Sequence, residues 1–308
     1  MENQALGLAE RLPLPVVVKR AALAPPWRWL APRSVGNALH HLADGSDQIA
    51  APWPRVVIGC GRQSIPIVMA IKRASGGRTL AVQCQHPRTN PAKFDLIVPP
   101  EHDSLTGANV FPILGSPNRI TPEKLLKARN QFTRLFEPLR MPRIGVLIGG
   151  KSRAFAFGEE DIAALSSALK TLTKSSSLMV LTSRRTGDAN VARIKEALRD
   201  CDAYFWDDSG ENPYLGVLAW SDAFLVTADS VNMACEAAAT GKPIHIFPLR
   251  GGASKFTMFH HALEQRGISR TFEGQIEQWD YVPLDETGRA AKRIKTLLDQ
   301  RQPASDMR

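Results

Sequence analysis

The chain has 308 residues, a formal net charge of +9 and 44% hydrophobic residues. That is length for about two domains and apolar content for ordinary cores, which excludes a globally disordered chain. The positive excess favours an anionic partner (nucleotide, acidic lipid surface or nucleic acid) without choosing among them.

The opening stretch, MENQALGLAERL, is acidic and then amphipathic, a helix pattern unlike a signal peptide. No apolar run approaches the roughly 18 residues of a membrane span. The four cysteines, Cys60, Cys84, Cys201 and Cys235, lie far apart without a CxxC pair. They suggest neither a zinc site nor a disulfide framework, and they fit a reducing compartment. Residues 16–33, VVVKRAALAPPWRWLAPR, mix Trp27, Trp29 and Leu30 with Lys19, Arg20, Arg28 and Arg33. Such a mixture suits a membrane interface, and equally an irregular loop that packs its tryptophans into a core.

RVVIGC (55–60), TLAVQC (79–84) and FDLIVPP (94–100) read as buried strands. After the first, GCGRQS supplies Gly59 and Gly61 for a tight turn, with Gln63 and Ser64 facing a cleft or capping the next helix. His86 in CQHPR is a strand-end candidate. PPEHDSLTGANV places Glu101, His102 and Asp103 just past a strand end, where His102 can serve as general base with Asp103 as its orienting partner. The alternative is a solvent-exposed turn. A helical stretch, 121–136, leads to EPLRMPR (137–143), whose two prolines mark the expected division into domains 1–140 and 141–308.

The second half continues the strand series with RIGVLIGG (143–150), SLMVLTS (177–183), AYFWDD (203–208), AFLVTAD (223–229) and PIHIFPL (243–249). Helical patterns at 62–74, 158–173, 188–199 and 230–240 alternate with the strands across the chain. This is the signature of parallel sheets with crossover helices, and the continuous Val/Ile/Leu runs imply strands covered on both faces. The expected fold is α/β: two doubly wound, Rossmann-like domains facing a cleft, with ligands beyond the carboxyl ends of the strands. A last helix spans 286–301.

Three strand-end loops of the second half point to an anion. In IGGKSR, Gly149 and Gly150 admit close backbone approach, and Lys151, Ser152 and Arg153 offer donors. In LTSRRTGD, Ser183, Arg184, Arg185 and Thr186 bring two guanidinium groups to a strand end, matched to phosphate or merely solvated. In TADSVNMACEAAATGKP, Asp229 precedes Ser230, a favoured N-cap, so the following helix aims free N–H groups at phosphate. Asn232, Met233 and Glu236 lie on that helix, with Asn232 and Glu236 sharing a face. Glu236 sits among Ala234, Cys235, Ala237, Ala238 and Ala239, and an unpartnered buried carboxylate is costly. It therefore needs the vicinal hydroxyls of a ribose or a neighbouring Lys or Arg. Downstream, LRGGASKF adds Arg250, Gly251, Gly252, Ser254 and Lys255, lining a cleft or making a turn. His260 and His261 lie on a helix face as surface or core residues, and no histidines are spaced as metal ligands.

These residues resemble the nucleotide-sugar-binding half of the GT-B glycosyltransferases, in which a helix N-terminus meets the diphosphate and a Glu farther along holds the ribose. The resemblance lays those roles on Ser230 and Glu236. More closely, ENQALGLAE, GCGRQS, FDLIVPPEHD, GGKSRAF, LTSRRT and TADSVNMACEAAATGKP together resemble the mitochondrial fission (elongated mitochondria) protein family, over nearly the whole chain. In that family a strand and a Gly-containing loop precede the first of these motifs. The resemblance thus implies that the amino-terminal sheet lacks its first strand, through a start set too late or a shortened chain.

The resemblance implies a GT-B-like glycosyltransferase. Its donor is a nucleoside-diphosphate sugar, with a UDP-sugar favoured, and its acceptor is a hydroxyl or lipid-linked group. Domain 1–140 is the acceptor side and 141–308 the nucleotide-sugar side. Glu236 holds the ribose, Ser230 with Arg184 and Arg185 stabilises the diphosphate, His102 or Asp103 is the base, and neither metal nor further cofactor is required. The expected location is cytoplasmic, peripheral on the inner face of a membrane. The label of nucleoside-diphosphate-sugar epimerase carried by bacterial relatives does not fit: GCGRQS lacks the GxxGxxG spacing, and none of Tyr204, Tyr214 and Tyr281 is followed four residues on by Lys. Plant members are linked to recruiting fission machinery at the mitochondrial surface, so the alternative is a non-catalytic membrane-surface adaptor. Nucleic-acid binding rests on charge alone.

Overall fold

Apolar runs alternating with amphipathic stretches become two parallel α/β units in the computed structural model, which describes residues 1–33, 36–206 and 209–301. The first unit comprises Met1–Arg119 and the segment from Asp285 onward. It contains α1 (Glu2–Glu10), α2 (Trp27–Leu30), β1 (Val56–Cys60), α3 (Ser64–Ala74), β2 (Leu80–Cys84) and β3 (Leu96–Val98). The strands form a parallel sheet in chain order. Strand periodicity sends alternate residues to opposite faces. Leu80, Val82 and Cys84 therefore pack with Leu8 of α1, whereas Ala81 and Ile97 meet Ile65, Val68 and Met69 of α3.

The second unit, Ile120–Leu284, opens with α4 (Pro122–Gln131) and α5 (Thr133–Phe136). It continues through β4 (Arg143–Ile148), α6 (Glu159–Leu172), β5 (Ser177–Thr182), α7 (Asp188–Ala197), β6 (Ala203–Phe205) and α8 (Tyr214–Trp220). Then come β7 (Ala223–Thr227), α9 (Val231–Ala238), β8 (Ile244–Phe247), α10 (Ser254–Gln265) and β9 (Ser269–Thr271). The parallel sheet runs β6-β5-β4-β7-β8-β9. The chain winds outward from β4 to β6, returns to pair β7 with β4, and winds the other way. In such a sheet the reversal leaves a crevice beyond the carboxyl ends of the two central strands, here β4 and β7.

The last helix, α11 (Glu286–Gln300), belongs to the first unit: Ala290, Ala291, Ile294 and Leu298 are buried in the cluster that holds Leu8, Leu80 and Val98. The division at 140/141 is thereby corrected at both ends. Residues 120–140 pack with the second unit because Trp220 of α8 donates its indole N–H to the Arg129 carbonyl at 2.8 Å, under the Arg129 guanidinium. The predicted strand 203–208 ends at Phe205, and Asp207 and Asp208 lie outside the described residues.

Candidate functional site

The reversal between β4 and β7 brings Gly149 and Gly150 beside Asp229. The Asp229 carboxylate is fully buried and its acceptors are committed internally. It accepts the Gly150 N–H at 2.9 Å and the Thr227 hydroxyl at 2.7 Å, and it pairs with Arg185 at 2.8 Å. Thr227 in turn accepts the Gly149 N–H at 2.8 Å. Neither glycine is replaceable: a Cβ on Gly149 would stand 2.2 Å from Asp229 Oδ1, and one on Gly150 2.1 Å from the Arg185 carbonyl. The close approach expected of these glycines is to Asp229 and the Arg185 backbone. Asp229 builds the loop, and its side chain is wholly buried there.

The β5 loop closes onto the same point. Thr186 is buried and donates its hydroxyl to the Gly149 carbonyl, while Ser183 Oγ accepts the Arg185 N–H at 3.2 Å. Arg185 also donates to the Gly150 carbonyl at 3.3 Å. The two arginines therefore differ. Arg185 is engaged by Asp229 and Gly150, whereas Arg184 is exposed and forms no hydrogen bond or ion pair with another described residue. Ser152 caps its own turn, accepting the N–H groups of Ala154 and Phe155 at 3.2 Å each.

That turn is zipped to the loop after β8. Gly252 donates its N–H to the Ala154 carbonyl at 2.6 Å, and Ala156 donates to the Arg250 carbonyl at 3.0 Å. Arg250 reaches Asp161 at the start of α6 at 3.1 Å. Burial pushes the Asp161 carboxyl up, but the guanidinium and the Gly158 and Arg250 amides hold it below its ordinary value. Arg250, Gly251 and Gly252 thus make the turn that was one of their two readings.

Helix α9 starts where the sequence places it. Ser230 is buried and accepts the Met233 N–H at 3.4 Å, an N-cap that leaves other first-turn amides directed out of the helix end. Asn232 is exposed and Met233 half-buried. Glu236 is met by neither Lys nor Arg: its Oε2 accepts the hydroxyl of Tyr214, from the start of α8. Oε1 has no hydrogen bond to a described residue. Burial raises the Glu236 carboxyl above its ordinary value, and the Tyr214 hydroxyl partly offsets this. Burial, with the Glu236 charge second, pushes the Tyr214 phenol well up.

Three residues of this neighbourhood escaped the sequence reading. Thr227 and Tyr214 are two. The third is His260 of α10, read as surface or core, whose Nε2–H donates to the Ala228 carbonyl at 2.8 Å. Its buried Nδ1 has no partner among the described residues, and burial lowers the imidazole below its ordinary value. Thr227, the residue before Ala228–Asp229, carried a faint signal as a hydroxyl ending an apolar strand. Tyr214 and His260 carried none.

His102 and Asp103 belong to the first unit, in a single 3-10 turn (Glu101–Asp103) beyond β3. Asp103 has no side-chain hydrogen bond to a described residue, so the predicted orienting contact to His102 is not formed. His86 closes a local turn, accepting the Arg88 N–H on Nδ1 at 2.9 Å.

The family model described as Mitochondrial fission ELM1 matches residues 1–298. The chain is 33% identical over 277 residues to the Mitochondrial fission protein ELM1 of Arabidopsis thaliana, covering 80% of this chain and 65% of that protein. It is 31% identical over 208 residues to an uncharacterized protein of Rickettsia prowazekii, covering 64% and 58%. The chain thus spans less than two thirds of each relative's length. Among solved structures, the UDP-GlcNAc 2-epimerase of Methanocaldococcus jannaschii matches at 13% identity with a TM-score of 0.49, over 80% of this chain and 77% of that one. So loose a match assigns no activity.

Proposed function

The chain belongs to the mitochondrial fission ELM1 family, and we propose that its Ile120–Leu284 unit binds the nucleoside diphosphate of a nucleotide sugar as the donor half of a glycosyltransferase. The observation that carries this reading is Glu236. It is a half-buried carboxylate on a helix capped by Ser230 at the reversal of a doubly wound sheet, with one oxygen held by a phenol and the other hydrogen-bonded to no described residue. Partial burial raises this carboxyl and singles it out as a candidate to meet a ligand. A ribose hydroxyl supplies the missing donor.

The diphosphate meets the α9 first-turn amides and Arg184, which neutralise charge as the sugar–phosphate bond breaks. Arg185 contributes by fixing the loop through Asp229. The acceptor oxygen bonds the sugar's anomeric carbon as its proton passes to a base. A UDP-sugar is the favoured donor. The test is a calorimetric panel of UDP, GDP, ADP, CMP and their sugars on the native chain and on Glu236→Ala. A nucleotide at 100 times its Kd should add about 2.7 kcal/mol of stability, and Glu236→Ala should abolish the gain. Equal binding to both proteins would sink the role given to Glu236.

A second reading, an adaptor docked on an anionic membrane surface, is favoured by a separate observation. Val16, Val17, Val18, Trp29 and Leu30 are exposed large apolar side chains, and no Asp or Glu occurs between Glu10 and Asp44. Aromatic and aliphatic side chains among cations suit acidic headgroups. No described helix is long and apolar enough to cross a membrane. Sedimentation with phosphatidylglycerol vesicles, lost in Trp29→Ala/Leu30→Ala and absent with phosphatidylcholine, is the expected result. Recovery of the protein in the supernatant with both lipids would end this reading.

A further inference from the structure

Glu236 is not free to turn. Its partner Tyr214 sits at the first position of α8, and the Tyr214 N–H is accepted by Asn212 Oδ1 at 2.9 Å. The rest of α8 is pinned to α4. Arg129 donates to the Ala219 carbonyl at 3.1 Å and stacks over Trp220 with 4.2 Å to the ring centre. A Cβ on Gly216 would stand 2.6 Å from the Phe132 ring, so the two helices are already in contact. The phenol is therefore a donor fixed by the fold, and it occupies one of two carboxylate oxygens. A carboxylate clasps two vicinal hydroxyls most evenly with one oxygen for each, and an Oε2 that already accepts the phenol is the weaker acceptor of the two.

We propose that Tyr214 is the positioning residue of the site: by holding Oε2 it orients Glu236 and leaves Oε1 as the acceptor for a single ribose hydroxyl, which makes the site discriminate between the two ribose hydroxyls. This rests on the nucleotide reading and deepens it. The phenol also favours the ionised, acceptor-only carboxylate against burial. The titratable groups acting on this pair are Tyr214 on Glu236, and Glu236 and Cys235 on Tyr214.

The experiment has two arms, each on the whole chain and on Tyr214→Phe, which keeps the ring. In the first, calorimetry compares UDP with 2′-deoxy-UDP and 3′-deoxy-UDP, and the GDP series serves equally if that base is preferred. In the native chain one deoxy analogue should bind within about 3-fold of the parent and the other at least about 10-fold more weakly. In Tyr214→Phe the parent should lose about 10-fold, and the two analogues should converge. Equal penalties for both analogues in the native chain, or an unchanged pattern in Tyr214→Phe, overturns the proposal while leaving the nucleotide reading intact.

The second arm needs no ligand. Carbon-13 NMR titration of the Glu236 carboxyl, assigned by its absence in Glu236→Gln, should move to higher pH in Tyr214→Phe. An unmoved titration overturns the positioning contact. A moved titration with no nucleotide bound in the first arm removes the nucleotide reading, and with it the single-hydroxyl claim, and leaves the Tyr214–Glu236 contact standing.

Discussion

Asp229, just before the start of α9, and Glu236, near its end, have opposite roles, and the difference is set by who reaches them. Asp229 holds two loops together, so Asp229→Ala should leave the Gly150 N–H and Thr227 hydroxyl without their acceptor and free Arg185. Hydrogen bonds to charged groups are worth roughly 1.5–3 kcal/mol each, and a loss of about 3 kcal/mol is expected in urea unfolding. An unchanged midpoint would remove Asp229 from the framework. Glu236 behaves the other way. Its carboxyl is raised in the folded protein, so its contribution is most favourable below the unfolded value near 4.5 and is lost as pH rises through the folded one. Glu236→Gln, which still accepts from Tyr214, should therefore melt higher than the native chain at neutral pH, with the gap closing below about pH 4.5. A gap that persists in acid would show that burial of the charge is not its cause. Glu236 was legible in the sequence because a lone acid among alanines is a chemical anomaly. The inward turn of Asp229 was not, since it depends on Gly149 lacking a Cβ and on Thr227 facing it across the sheet.

Elements were legible in proportion to their patterning. Strands β4, β5, β7 and β8 are dominated by apolar residues, interrupted within β8 only by His245, and Ser230 announced α9. Helix α8, PYLGVLAW after Asn212, went unread because it is apolar on nearly every side and so shows no helical period. Strand β9, SRT, has no apolar residue and is set only by pairing with β8. The pairing of the β4–α6 and β8–α10 loops was equally hidden, because it joins segments far apart in the chain. It leads to a prediction about Gly251, whose φ is +99° and whose added Cβ would lie 2.6 Å from the Ala154 carbonyl. Gly251→Ala should cost about 1–3 kcal/mol in strain, and residues 151–157 should become the first site of limited proteolysis. Equal protease resistance would mean that the zipped loops do not depend on this turn.

At the scale of the molecule, the chain leaves the first unit at Ile120 and returns to it at Asp285, and the prolines at 138 and 142 mislead because they mark a loop inside the second unit. What decides the division is packing that no local signal carries. Helix α11 gives the first unit Ile294 and Leu298 for its core, and Glu286 accepts the buried Leu114 N–H at 3.0 Å. Thr287 is tied to Asn118 by accepting its N–H at 2.9 Å and donating to its carbonyl at 3.2 Å. Burying a Leu or Ile contributes about 1.5–3 kcal/mol, and a domain's whole stability is about 5–15 kcal/mol. Loss of α11 therefore removes much of what holds a three-stranded sheet together, and the chain ending at Leu284 should not keep its first unit folded. Hydrogen exchange reads the two units separately. Amides of β1, β2 and β3 should lose their protection in that truncated chain, while those of β4, β5 and β7 retain it, because every strand of their sheet lies between Ile120 and Leu284. Protection retained in β1–β3 would show that α11 only covers a sheet stable without it. Loss in both sets would show that the second unit depends on the first, and the proposed nucleotide binding would then have to be sought in the whole chain.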